Sequence, residues 1–93
     1  MVKQLDYEKQ AKAFMALADP TRLKIVELLA GCEEMSGTDI AEHLGITLAL
    51  FCHHSKILTD TDIIKKRREG LIRYHSLNRA FLATCLEGVA QLT

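Results

Sequence analysis

The sequence TDIAEHLGITLALFCHHSKIL, residues 38–58, decides the fold of this chain. Gly45 suits the left-handed conformation that ends a helix, and Thr47 is a good N-cap for a second helix that continues to about residue 59. Two helices joined by a short turn that contains Gly are typical of a helix-turn-helix, whose second helix enters the major groove of DNA. The first of these helices is predicted over residues 38–44, because its apolar residues have helical spacing: Ile40, Ala41 and Leu44.

A basic hairpin, KKRREGLIRYHSL, follows the second helix directly. Strands are predicted over residues 63–68 and 71–77, and Glu69-Gly70 between them is a tight-turn pair. The formal net charge of the chain is zero, yet residues 52–79 carry seven Lys or Arg against three acids. A basic segment within a neutral chain indicates a surface that binds phosphate, and the alternative is a solvated charged surface.

A helical wheel of residues 47–59 divides the second helix into three strips. The strip expected to face the core contains Leu48, Phe51, Cys52, Ser55, Leu58 and Thr59, with Cys52 at its boundary. The strip expected to face the DNA groove contains Ala49, His53 and Lys56. A third, half-apolar strip contains Leu50, His54 and Ile57, with His54 expected on the helix surface.

The flanking segments complete one domain over residues 1–93, in the order α-α-α-α-β-β-α. Asp19-Pro20 predicts the start of a central helix that ends near Gly31, and residues 32–37 read as a polar loop. The terminal helices, over about 5–18 and 78–92, are amphipathic and are expected to form a dimer interface; the alternative is that both pack on their own core. Their apolar faces contain Tyr7, Ala11, Phe14, Met15 and Ala18 in the first, and Phe81, Leu82, Cys85, Leu86, Val89 and Leu92 in the last.

The composition is that of an ordinary globular protein, with 48% apolar and 26% charged residues. The chain has no apolar run near the roughly 18 residues that a membrane span needs, and its polar N-terminus is no signal peptide, so we expect a cytoplasmic protein. Three cysteines, an odd number without a CxxC pair, favour reduced thiols over a disulfide framework. No cofactor is predicted.

These segments together resemble the ArsR/SmtB family of bacterial winged-helix repressors. The resemblance is carried by ALADPTRLKIVELLAG at 16–31, TDIAEHLGIT at 38–47, HHSKIL at 53–58 and RREGLIRYHSLN at 67–78. It implies a homodimer that binds palindromic double-stranded DNA, with the helix after the turn in the major groove and the hairpin as a wing. It also implies an effector that releases the repressor from DNA.

The recognition helix departs from the family pattern, because it opens with Thr47-Leu48-Ala49-Leu50 where the family usually has a polar run; Ser55 stands where the family usually has Leu. Few hydrogen-bond donors therefore remain for base edges. We expect base contacts from Thr47, Ala49, His53 and Lys56. A larger share of the affinity should come from phosphate contacts by the wing residues Lys65, Lys66, Arg67, Arg68 and Arg73.

The sequence does not identify the effector. The family's metal sites are not intact here, because residues 35–39 contain no Cys and the last helix contains no His; no metal site is predicted, and a metal-responsive repressor remains an alternative. A thiol switch is a second hypothesis: oxidation of Cys52, with Cys32 or Cys85 as a candidate partner, would disturb DNA docking. The alternative is that Cys52 is only a small core residue.

Catalysis is not expected, because His53 and His54 have no nucleophile at a suitable turn and no Gly-rich phosphate loop exists. A different class of function, a winged-helix module that binds proteins without specific DNA binding, stays open. Salt dependence distinguishes the two, since phosphate binding weakens steeply with salt.

Overall fold

The computed structural model describes residues 6–90, which fold into five helices and a three-stranded antiparallel sheet. The expected fold class, a mainly helical winged helix-turn-helix with a β-hairpin, is confirmed. The outer ends of the two predicted terminal helices, residue 5 and residues 91–92, lie outside the described residues. The elements are α1 (Tyr7–Leu17), α2 (Pro20–Ala30), β1 (Met35–Ser36), α3 (Gly37–Leu44), α4 (Leu48–Asp60), β2 (Ile64–Glu69), β3 (Ile72–Leu77) and α5 (Arg79–Ala90).

Local capping signals set the helix starts. The side chain of Asp19 accepts a hydrogen bond from the backbone N–H of Arg22 at 3.0 Å, and Pro20 occupies the first helical position of α2. Thr47 caps α4 in the same way, with its hydroxyl oxygen 3.1 Å from the backbone nitrogen of Leu50. Gly45 ends α3 at φ 66°, so the expected left-handed turn between the two helices is present.

The sheet contains a strand that the sequence did not reveal. Residues 32–37 were expected to be a loop, but Met35–Ser36 form β1 and pair antiparallel with His75 and Tyr74 of β3. The pairing is non-local, which is why no local pattern marks it. The strand order is β1-β3-β2, and the hairpin turn is Gly70-Leu71 rather than Glu69-Gly70. Gly70 has φ 61° at the first turn position, as a type II′ hairpin turn requires.

The core lies between α2, α3, α4 and the inner ends of the two long strands. Ile25 and Leu29 of α2 are fully buried, which confirms the central place expected for this helix. In α1 the buried residues are Ala13 and Ala16, while Tyr7 and Met15 are 80% and 72% exposed. Part of the apolar face predicted for α1 therefore has no partner within the described protomer.

The orientation of α4 corrects the helical wheel. His54, expected on the surface, is 7% exposed and lies on the buried side of α4 with Phe51, Ser55 and Leu58. Leu48 and Cys52, expected to face the core, are exposed. The wheel was wrong because it sorted residues by apolarity, whereas His54 is buried through a hydrogen bond to Arg22 of α2.

The basic residue at the start of α5 has a structural role. The guanidinium of Arg79 donates to the backbone carbonyls of Ala30 and Cys32 at 3.0 and 3.2 Å, where α2 ends. Carbonyls at a helix C-terminus lack intrahelical partners, and a cation there is favourable. Arg79 is therefore part of the fold, although it contributes to the basic charge of residues 52–79.

Candidate nucleic-acid interface

The exposed row of α4 is the first part of the candidate interface. The four residues predicted from the sequence to contact bases are all exposed and lie on α4 or at its N-cap: Thr47, Ala49, His53 and Lys56. The Thr47 hydroxyl is occupied as the N-cap acceptor. The ammonium of Lys56 pairs with Asp60 at 2.9 Å on the helix surface, a type of pair worth about 0–1 kcal/mol. A phosphate or a base edge can replace so weak a partner.

The wing supplies the cations. Lys65, Lys66, Arg68 and Arg73 are exposed on β2 and β3. In the strand register Arg68 lies directly opposite Arg73. Like charges in that position repel, so an anion placed between them relieves an unfavourable interaction. This arrangement is suited to a phosphate group.

Arg67 differs from its neighbours because its guanidinium is already paired. It donates to both carboxylate oxygens of Glu34 at 2.6 and 3.1 Å and to Glu69 at 2.9 Å, and it stacks over the Tyr74 ring at 4.7 Å. The hydrogen bond from Arg67 lowers the pKa of the Glu34 carboxyl. The pair connects the wing to the loop before β1, a contact that sequence reasoning missed.

A groove of about 850 Å³ separates α4 from the wing. Lys66 and Arg73 of the wing and Lys56 of α4 line it, together with the start of α3. At its base the rings of Phe51 and His75 meet edge to face, with centroids 5.0 Å apart. The groove therefore combines a cationic rim with an aromatic base, next to the exposed row of α4.

The three cysteines occupy different environments. Cys52 is exposed and lines the groove, so it does not belong to the core. Cys85 is buried on α5, and burial raises the pKa of its thiol. Cys32 is half-buried in a separate pocket beside Leu28 and Leu44. Among residues 6–90, no group of three His, Cys, Asp or Glu side chains is placed to hold a metal ion.

A polar junction behind α4 sets the direction of the exposed row. The guanidinium of Arg22 donates to His54 Nδ1 at 3.2 Å and to the carbonyl of Ala16 at 2.5 Å, so it ties α1, α2 and α4 together. Burial lowers the pKa of the His54 imidazole, the charge of Asp19 opposes the shift, and the charges of Arg22 and His53 add to it. No sequence signal marked this junction, because α2 also carries Lys24 and Glu27 and because His54 lies on another helix.

The geometry defines a class of protein: a winged helix-turn-helix regulator with an exposed recognition helix and a cationic wing. Solved structures agree. A homodimeric winged helix-turn-helix DNA-binding domain from Mycobacterium bovis superposes with a TM-score of 0.76 at 28% identity, covering 98% of this chain and 91% of that chain. Within the described residues, no helix is long and apolar enough to cross a membrane.

The family follows from sequence comparison. Residues 19–66 match the model of the arsR family of bacterial regulatory proteins. A transcriptional repressor of Bacillus subtilis, SdpR, is 44% identical over 69 residues, which cover 74% of this chain and 76% of the repressor. An arsenical resistance operon repressor of Staphylococcus xylosus is 32% identical over 78 residues, covering 84% of this chain and 74% of that protein. The chain belongs to the arsR family and is a DNA-binding transcriptional regulator, as its sequence predicted.

The buried His54 predicts a pH dependence of stability. Because the folded state lowers the pKa of His54 and of His75 below the ordinary 6.5, the unfolded chain takes up protons first as the pH falls. The free energy of unfolding should therefore decrease from pH 7.5 to pH 5.5. The substitution His54→Gln keeps an acceptor for Arg22 without titrating, so it should flatten this decrease, as measured by urea denaturation at both pH values.

The matched control is His43→Gln, since His43 is exposed at the end of α3. This variant should retain the pH dependence of the wild type. An equal pH dependence in the His54→Gln protein and the wild type would show that His54 is not held neutral in the folded state.

Proposed function

We propose that this protein represses transcription as a homodimer that binds a palindromic operator, with α4 in the major groove and the wing on the phosphate backbone. The observation that supports this most directly is the position of Lys66 and Arg73, which line the groove beside the exposed row of α4. Cations beside a recognition helix contact phosphates and so fix the register of the helix on the duplex, while the helix itself contacts bases. The relatives named as repressors support the direction of regulation.

Base reading falls to a small set of side chains on α4. Ala49 offers a methyl group suited to the methyl of thymine, and the exposed imidazole of His53 offers a hydrogen bond to a base edge. Lys56 can exchange Asp60 for a base or phosphate acceptor. The hydroxyl of Thr47 caps α4 and is not free to bind a base. Thr47 therefore contributes a methyl contact to base recognition.

Phosphate contacts fall mainly to Lys65, Lys66, Arg68 and Arg73. Arg67 has a smaller part in binding, because moving it to a phosphate would break its pairs with Glu34 and Glu69. Its larger role is to hold the wing at a fixed angle to the rest of the domain. We therefore separate the five wing cations into four that bind DNA and one that positions the wing.

Loss of a wing cation should weaken DNA binding in a salt-dependent way. In Lys66→Gln and Arg73→Gln proteins, the slope of log binding constant against log salt should fall in magnitude by about 1 each, since one phosphate contact is lost. The operator is first selected from a pool of random duplexes, and binding is then measured by fluorescence anisotropy from low to moderate salt.

Lys24→Gln is the matched control, because Lys24 is exposed on α2, beside a different pocket. Its slope should equal that of the wild type. If no sequence is enriched from the random pool and binding survives only at low salt, the protein is a winged-helix interaction module and not a sequence-specific repressor.

The dimer interface is proposed to form from α1 and α5. The two helices touch in the protomer, where the Gln10 side chain donates to the carbonyl of Cys85 at 3.0 Å and the Lys9 ammonium lies 5.2 Å from the centre of the Phe81 ring. Both expose large apolar residues that the protomer leaves uncovered: Tyr7, Met15, Leu86 and Val89. Apolar patches on a small domain are typical of association surfaces.

An acidic substitution within this patch should separate the protomers. Leu86 is 50% exposed on α5, so Leu86→Asp places a charge in the proposed interface and should raise the dimer dissociation constant at least about tenfold. Leu71→Asp is the control, because Leu71 is 95% exposed at the tip of the wing. Sedimentation equilibrium measures both; equal dimerisation of the two variants would place the interface elsewhere.

Release from DNA by thiol oxidation is proposed for Cys52, which is exposed beside Lys56 in the groove. Hydrogen peroxide would convert the thiolate to a sulfenic acid with loss of hydroxide, a two-electron oxidation. The added polar oxygen would lie against the path of the DNA backbone. Cys85 is a poor partner because it is buried, and Cys32 lines another pocket.

The thiol proposal predicts that peroxide lowers the affinity of the reduced wild type for its operator and that dithiothreitol restores it. A Cys52→Ser protein should keep its affinity through the same treatment, while Cys32→Ser should behave as the wild type. The measurement is operator binding by anisotropy before and after peroxide. Full peroxide sensitivity in Cys52→Ser would remove Cys52 from the switch.

The family consists of regulators rather than enzymes, and we propose that this chain catalyses no reaction. We also propose that it acts in the cytoplasm, where bacterial operator DNA is located. In the groove, Ser55 and His75 are not hydrogen-bonded to each other, so they do not form the activated nucleophile and base of a hydrolase.

A further inference from the structure

We propose that the groove between α4 and the wing is a binding site for a small organic carboxylate with a compact apolar body, which competes with DNA. The proposal that a ligand binds is supported by the groove itself. Its consequence for DNA rests on the proposed function, because it requires the operator to use the same surface.

The groove has the size of a ligand site. Its volume is about 850 Å³, within the roughly 300–1,000 Å³ of pockets that take small organic ligands. It is open along one side, so a ligand can enter it, and contact with the buried polar atoms at its base requires only the lining side chains to move. The second pocket described above, beside Cys32, is half as large at about 430 Å³ and has Lys24 as its one cation.

Two buried polar side chains that line the groove each have one atom without a hydrogen-bond partner in the described part of the chain. Ser55 and His75 are 2% and 3% exposed, and within the described residues neither Ser55 Oγ nor His75 Nδ1 has a hydrogen-bond partner. Buried polar atoms in folded proteins are almost always hydrogen-bonded, so two such atoms beside one groove indicate a missing partner. A carboxylate can accept from the Ser55 hydroxyl and from an Nδ1–H tautomer of His75.

The charges around the groove favour a single negative charge. Lys56, Lys66 and Arg73 line it, against the two acids Asp39 and Asp60. Asp60 is paired with Lys56, so the charges that remain are those of Lys66, Arg73 and Asp39. Burial and the charges of Lys66 and Arg73 lower the pKa of His75 and so favour its neutral ring, while a hydrogen bond with the backbone of Met35 opposes the shift. A carboxylate fits this balance better than a dianion.

The base and rim of the groove are apolar enough for a hydrocarbon body. Phe51 lies at the base, and Leu48 and Ile72, each about half exposed, lie on opposite sides. Gly37 is buried and packs against this base, since a Cβ there would come within 3.0 Å of the Phe51 ring and 3.3 Å of the His75 ring. A planar ring can lie between the exposed side chains of Leu48 and Ile72, with its carboxylate directed toward Ser55 and His75 at the base.

The test uses the 93-residue chain without DNA and two probes, benzoate and phenylacetate, with neutral benzamide as control. Two readouts are followed: backbone amide shifts of Ser55 and His75 by NMR, and alkylation of Cys52 by iodoacetamide, quantified by mass spectrometry. Cys52 lines the groove and is exposed, so an occupied groove shields it. At least one carboxylate should give saturable shifts and protect Cys52, and benzamide should give neither.

Ser55→Ala should weaken binding of the responsive carboxylate about tenfold, since one charge-assisted hydrogen bond is lost. The fold should tolerate the change, because it removes an unpaired buried hydroxyl. Ser76→Ala is the matched control: Ser76 is the next residue along β3 from His75 and does not line the groove. Its affinity for the probe should equal that of the wild type.

The proposal is overturned if neither carboxylate gives saturable shifts, if benzamide matches the carboxylates, or if Ser55→Ala binds as the wild type does. Operator binding is measured separately without probe, so loss of that binding would count against the proposed function alone. With operator present, the responsive carboxylate should raise the apparent dissociation constant for DNA in proportion to its occupancy of the groove. Unchanged operator affinity at saturating probe would overturn the competition.

Discussion

The Arg22 guanidinium fixes the arrangement on which the candidate DNA-binding surface depends. It donates to the carbonyl of Ala16 and to His54 Nδ1, so one planar group joins the end of α1, the start of α2 and the middle of α4. His54 is adjacent in sequence to His53, and neighbouring helical residues point about 100° apart. Holding His54 inward therefore turns His53 and Ala49 outward. The direction of the exposed row of α4 is therefore a consequence of the hydrogen bond between Arg22 and His54 on the opposite side of the same helix.

Most of the fold could be predicted because its signals are local. Asp19, Pro20, Gly45 and Thr47 act within a few residues of themselves, and the structure uses each of them at the expected place. The strand β1 could not be predicted, because its pairing with β3 joins segments that are distant in the chain. The burial of His54 was missed for the same reason, since its partner Arg22 lies on another helix.

The candidate interface was predictable in kind but not in detail. Charge counting over residues 52–79 located the basic wing, and the structure places those side chains on its surface. The sequence alone could not separate Arg67, whose partner Glu34 precedes the sheet, from the neighbouring cations. Nor could it show that Ser55 and His75, from different elements, line one groove, where Ser55 Oγ and His75 Nδ1 have no hydrogen-bond partner within the described residues.

The order of strands in the sheet has a consequence for the protein in the absence of DNA. Strand β3 is central, β1 is only two residues long, and β2 is therefore the one long edge of the described sheet. Open edges with unpaired backbone groups can pair with other chains and start aggregation. Here the edge carries Lys65, Lys66, Arg67 and Arg68 in succession, so two copies of it repel each other. The charges that suit this strand to a phosphate backbone also keep it from becoming a template for misassembly while the protein is free.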